Sequence, residues 1–96
     1  MLQQLTITTT DKTTLKPLVE SAIEREKEML SLAIRRTRER LAEFEQHYGM
    51  SSVEFERRLN ALELQETVEF TDWRMEIGTL RLLESQHQAL QEAQVD

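Results

Sequence analysis

Residues 15–48 form one unbroken helical pattern, which limits the folds open to this chain more than any other feature. Apolar side chains recur every three or four residues and share one side of a helical wheel, while Glu, Arg and Lys occupy the other. The only proline, Pro17, lies in the first turn, where a helix tolerates it. Such a helix is about 50 Å long, whereas a compact chain of this size has a radius of gyration of about 13 Å. The first helix therefore needs a further surface to lie against.

Cap residues divide the rest of the chain into two more helices. Gly49 is typical of a helix end, and Ser51 and Thr67 are typical of helix starts. Glu54 follows Ser51 at the spacing of a reciprocal capping box. The sequence therefore predicts a single all-α domain over residues 1–96, with a very long first helix at 13–49, a short helix at 51–64 and a third helix at 67–93.

The N-terminal segment, residues 1–12, is predicted to be a short strand or arm because it is β-branched and alternating. A strand must pair with its copy in a dimer or with another protein, unless the segment remains a loose arm. Together with the overlong first helix, this leads us to expect a two-fold homodimer, in which Leu5 and Ile7 belong to a dimer strand. This segment resembles the ribbon of ribbon-helix-helix repressors, which makes a DNA-binding regulator one alternative function. Only Lys12 and Lys16 supply positive charge nearby, so DNA is not the favoured partner.

Composition excludes several classes of function. The formal net charge is -6, which disfavours a general affinity for nucleic acid. The chain has no cysteine, so disulfides, thiol nucleophiles and thiolate metal sites are excluded. It shows neither a signal-peptide pattern nor an apolar run of membrane-spanning length, and we expect a cytoplasmic protein without membrane contact.

The third helix carries apolar residues on two opposite faces. One face consists of Phe70, Trp73, Ile77, Leu80, His87 and Leu90, and the other of Val68, Met75, Leu82 and Ala89. A helix that is apolar on both sides is normally covered on both. Met75 and Leu82 are therefore predicted to bind a partner, and Phe70 and Trp73 are predicted to lie beside them. The alternative is a helix enclosed within one chain, with Trp73 as its largest core residue.

Glu26 lies within the apolar stripe of the first helix. A carboxylate buried there needs a cation or hydrogen-bond donors. An Arg from a later helix or from a partner could supply them, so Glu26 is a further candidate for partner binding.

Two patterns suggest catalysis. Glu84 and His87 have the Glu-x-x-His spacing of di-iron bundles, which require a second such pair. The other histidine, His47, has Phe44 rather than a Glu three residues before it, so the second pair is missing. We therefore predict no metal and no cofactor. Arg81 precedes His87 at a spacing that resembles the Arg-to-His motif of the helical HEPN ribonucleases. In that motif a polar residue usually follows the Arg, whereas here the following residue is Leu82. A ribonuclease is thus an alternative to a non-enzymatic protein.

Residues 41–58 read LAEFEQHYGMSSVEFERR and resemble a group of small prokaryotic proteins with the pattern FE-x-x-YGMSS-x-EF. The pattern continues through Leu62, Glu63, Leu64, Glu66, Phe70 and Trp73. Ala61 stands where such sequences often have Gly. The group is similar to the TumA-type antitoxins of two-gene toxin–antitoxin modules. The resemblance implies a non-catalytic protein that binds and silences an RNA-cleaving toxin and that also represses its own operon.

Overall fold

A computed structural model describes residues 3–96 and shows three helices in chain order. Helix α1 spans Lys12–Tyr48, α2 spans Ser52–Asn60 and α3 spans Val68–Glu92. The predicted all-α architecture with a very long first helix is confirmed. No helix within the described residues is long and apolar enough to cross a bilayer.

The segment before α1 does not form a strand among the residues that the structure describes. Residues 3–10, here called the N-terminal arm, are non-helical and exposed, and the remainder of the predicted segment, residues 1–2, lies outside the described range. The rest of the described chain contains no strand either, so it offers the arm nothing to pair with. Leu5 is 90% exposed and Ile7 is 59% exposed.

Helix α1 begins and ends at residues suited to those positions. The Asp11 side chain accepts hydrogen bonds from the backbone N–H of Thr14 at 3.0 Å and from its hydroxyl at 2.7 Å. These bonds lower the pKa of Asp11. Gly49 ends the helix with a φ of 68°, which a residue without a Cβ adopts at no steric cost.

Helix α2 starts after the predicted cap, Ser51, but Glu54 does not complete the predicted capping box. The Ser51 hydroxyl accepts from the Glu54 N–H at 3.1 Å. The side chain that caps the Ser52 N–H is Glu45, from the last turn of α1, at 2.6 Å. The Glu54 carboxylate instead binds Arg57 and Arg58, each at 2.8 Å.

Helix α2 ends at Asn60, earlier than the predicted residue 64. The Glu63 N–H donates to the Arg58 carbonyl at 2.9 Å, and the Leu62 N–H donates to the Leu59 carbonyl at 3.1 Å. This is the Schellman pattern, which requires a left-handed residue, and Leu62 provides it with a φ of 59°. A left-handed leucine is strained, because its Cβ approaches the backbone.

The core lies at one end of an elongated molecule. Helices α1 and α3 run antiparallel, with Tyr48 against Phe70 at one end and Ser31 against His87 toward the other. The core consists of Leu41, Phe55, Leu59, Trp73 and Ile77. No residue of 12–29 is buried, and the radius of gyration of 18.7 Å exceeds that of a compact domain. The N-terminal half of α1 therefore extends beyond the core.

Candidate partner-binding surface

The aromatic core fixes the orientation of α3. Trp73 is fully buried and lies parallel to Phe55, with ring centroids 3.9 Å apart. Phe44 is also parallel to Trp73 at 5.5 Å, and the indole N–H donates to the Ser52 hydroxyl at 2.9 Å. All three helices thus contact one side chain. With Trp73 turned inward, the residues on the opposite side of α3 must face outward.

That opposite side is the α3 outer stripe, defined here as Val68, Met75, Leu82 and Ala89. Val68 is 79% exposed, Met75 is 65% exposed and Leu82 is 58% exposed. The three residues repeat every seven positions, so they align along the helix. An aligned apolar row at this exposure is typical of a surface that binds another protein.

An acidic groove borders Met75 between α1 and α3. Its volume is about 580 Å³, and it is lined by Arg40, Glu43, Phe44, His47, Glu69, Asp72, Met75 and Glu76. Four carboxylates therefore face one guanidinium. Glu76 accepts from Arg40 at 3.1 Å through one oxygen, while its other oxygen is buried without a hydrogen-bond partner among the described residues. The Tyr48 hydroxyl at the edge of the groove donates to Glu69, which raises the pKa of Tyr48.

The structure separates the other predicted binding residues. Trp73 is in the core and has no surface to offer a partner, and Phe70 is half-buried in the same aromatic cluster. Glu26 is exposed rather than buried, because it lies on the half of α1 that the core does not reach. Leu5 and Ile7 are exposed on the N-terminal arm, and their pairing in a dimer stays a prediction.

The Arg and His residues of the ribonuclease pattern bind to different helices. Arg81 donates to Glu56 of α2 at 3.1 Å, and this carboxylate raises the pKa of Arg81. His87 contacts the Ser31 hydroxyl of α1 at 3.1 Å. Among residues 3–96 no three His, Asp or Glu side chains are grouped closely enough to hold a metal ion.

Sequence reasoning missed two features of the surface. The first is the Arg81–Glu56 pair, which links α3 to α2 and has no local sequence signal. The second is an exposed apolar row on α1, where Leu18 is 61% exposed and Met29 is 66% exposed. The three- and four-residue spacing of this row is visible in the sequence. It is hard to distinguish there from the spacing of the broader apolar stripe on the same helix.

The comparisons do not connect this chain to a known protein. No protein-family model, curated protein or solved structure matches it. The exposed surfaces of the chain and the resemblance of residues 41–58 are therefore the features that bear on its function.

Proposed function

We propose that this chain is a non-catalytic binding protein that acts as an antitoxin, neutralising an RNA-cleaving toxin by direct contact. The observation that carries the proposal is the α3 outer stripe. Met75 and Leu82 stay exposed on a helix whose opposite face holds the fully buried Trp73. Methionine adapts to irregular partner surfaces, and a row of exposed apolar side chains loses unfavourable hydration when a partner covers it.

The charge beside the stripe supports a basic partner. The groove next to Met75 has four carboxylates against Arg40, and the whole chain carries a net charge of -6. An RNA-cleaving protein needs positive charge to hold its phosphate backbone. An acidic surface accelerates association with such a cleft and competes with RNA for it.

The residues that carry the resemblance have structural roles in this chain. Gly49 ends α1, Ser51 caps α2 and Ser52 binds the indole of Trp73. Phe70 and Trp73 supply the aromatic core. The shared pattern therefore describes the corner where the three helices meet. We infer that the toxin is recognised by residues outside this pattern, on the α3 outer stripe.

The proposal is tested by producing the chain together with the product of the adjacent reading frame, which we expect to be small and basic. The neighbour alone should arrest growth and cut RNA in vitro. Adding this chain at equal molar amount should restore growth and stop the cleavage. The proposal fails if the neighbour is harmless, or if its cleavage continues with this chain in excess.

The proposal extends to the location, the oligomeric state and the regulation of the protein. We propose that the protein acts in the cytoplasm as a homodimer and that the complex with toxin represses its operon. Operator binding by the complex, measured by gel shift with and without the toxin, tests the last point.

A further inference from the structure

The exposed row on α1 follows the rule of paired helices. We define the α1 outer seam as Leu15, Leu18, Ala22, Arg25, Met29 and Leu32, whose spacing alternates between three and four residues. This is the spacing of positions a and d in a heptad, the pattern of two helices lying side by side. It lies apart from the buried residues Leu30, Ile34 and Leu41, which belong to the face that packs toward α3.

Apart from Leu15, which is half-buried, the seam is exposed in the folded chain. Leu18 is 61% exposed, Met29 is 66% exposed and Leu32 is 37% exposed. From Leu15 to Leu32 the row is about 26 Å long at the rise of an α-helix. Helix α1 is already ordered by its junction with α2 and α3. The α1 helix of another copy can therefore pair here without the free-energy cost of nucleating a helix.

We propose that a second copy of this chain packs on the α1 outer seam in the antiparallel direction, with the two-fold axis near residues 23 and 24. Leu15 then lies opposite Leu32 of the second copy, and Leu18 lies opposite Met29 of the second copy. Each apolar contact occurs twice, as a two-fold interface requires. This inference rests on the proposed homodimer and assigns its interface, which uses a different face from the α3 outer stripe.

Arg25 favours the antiparallel direction. In a parallel dimer in register, Arg25 would face its own copy, which places like charges together in an apolar seam. In the antiparallel alignment Arg25 faces the small side chain of Ala22 of the second copy instead. Along the axis, Arg25 of the second copy is then about 4.5 Å away and Glu26 of the second copy about 6 Å away, so two guanidiniums and two carboxylates gather near the two-fold axis. Glu26 is exposed and forms no ion pair within residues 3–96, so it is available to pair with Arg25 of the second copy.

The arrangement also positions the N-terminal arms. In an antiparallel pair the two arms lie at opposite ends of the interface, so they do not pair with each other. The dimer should therefore persist when residues 1–10 are deleted. This separates the seam dimer from a dimer held by strands containing Leu5 and Ile7.

The first test is the mass in solution by light scattering after size exclusion at micromolar concentration. Wild type and the protein lacking residues 1–10 should both be dimers, with wild type at twice 11.3 kDa. Leu18→Glu should be monomeric with unchanged helical circular dichroism, whereas Met75→Glu, a change at similar exposure on α3, should stay dimeric. A monomeric wild type, or a Leu18→Glu protein that stays dimeric, overturns the proposal.

The second test determines direction and is clean because the chain has no cysteine. Leu18→Cys and Met29→Cys are prepared separately, mixed and oxidised. The mixture should give a disulfide-linked dimer, while each variant alone should not, since its two thiols lie about 16 Å apart along the axis. Linkage of Leu18→Cys to itself indicates a parallel pair, and no linkage in the mixture removes the interface; either result overturns the proposal. These variants leave the α3 outer stripe intact, so cross-linking tests the dimer and toxin binding tests the antitoxin proposal separately.

Discussion

The indole N–H of Trp73 donates a hydrogen bond to the hydroxyl of Ser52 at 2.9 Å. This bond joins the middle of the core to the first residue of α2. Trp73 is fully buried, so its N–H has no access to water and depends on Ser52 for a partner. The two residues also connect the two parts of the sequence pattern that resembles antitoxins. Their contact joins α3 to the start of α2 at the corner where the three helices meet.

We expect Ser52→Ala to lower the free energy of unfolding by roughly 1–3 kcal/mol, because the buried indole donor loses its partner. In a Trp73→Phe background, where the donor is gone, the same change should cost much less. Urea unfolding of the four proteins in this double-mutant cycle measures the coupling. Ser85→Ala, at an exposed position of α3, is the control and should have little effect. Equal costs in both backgrounds would show that the bond contributes nothing.

Leu62→Gly should stabilise the protein by roughly 0.5–1 kcal/mol. The φ of 59° at Leu62 strains a leucine but not a glycine, and this side chain is 89% exposed, so little packing is lost. Ala61→Gly is the matched control, because Ala61 has a φ of -82° and gains no relief. Thermal unfolding compares the two. A destabilised Leu62→Gly protein would mean that the left-handed turn is not populated.

Glu54 should make the protein sensitive to acid. Hydrogen bonds from Arg57 and Arg58 lower the pKa of Glu54 from 4.5 to about 2. A depressed pKa in the folded state contributes stability above pH 4.5 that is lost as the pH falls toward 2. Glu54→Gln should therefore be less stable than wild type at pH 7 and lose less stability in acid. Melting curves from pH 7 to pH 2.5 test this, with Glu20→Gln as a control expected to follow wild type.

The sequence predicts the fold well where local chemistry decides it. Gly49, Ser51 and Thr67 are recognisable caps, and the structure ends α1 and starts α2 and α3 at them. The end of α2 is different, because its left-handed residue is a leucine and carries no turn signal. The partner of the Ser52 N–H is also not local, since Glu45 reaches it from the preceding helix.

The candidate surface is predictable only in part, because periodicity shows that a face is apolar without showing what covers it. Trp73 and Met75 both belong to apolar stripes, yet one is fully buried and the other is 65% exposed. Glu26 fits the stripe of α1, but the stripe continues past the core and leaves the carboxylate in solvent. How far α3 extends along α1 is a tertiary property that the helical pattern does not contain.

The purified protein should not cleave RNA. Arg81 is engaged by Glu56 and His87 by Ser31, so the two side chains of the ribonuclease pattern bind to different helices. Arg81→Ala should have little effect on the free energy of unfolding, as expected for an exposed ion pair. A labelled RNA substrate tests for activity. Cleavage by wild type that Arg81→Ala or His87→Ala abolishes would favour the nuclease alternative over the antitoxin one.

The most direct measurement of the central proposal is the affinity of the α3 outer stripe for the product of the neighbouring gene. Met75→Glu with Leu82→Glu places two charges on the stripe without touching the buried core residues. Titration calorimetry should show tight binding for wild type and for Leu18→Glu, and a loss of at least about 100-fold for the stripe variant, corresponding to about 2.7 kcal/mol. Unchanged helical circular dichroism would show that the variant is folded. If the folded stripe variant binds the neighbour as tightly as wild type does, the stripe is not the toxin-binding surface.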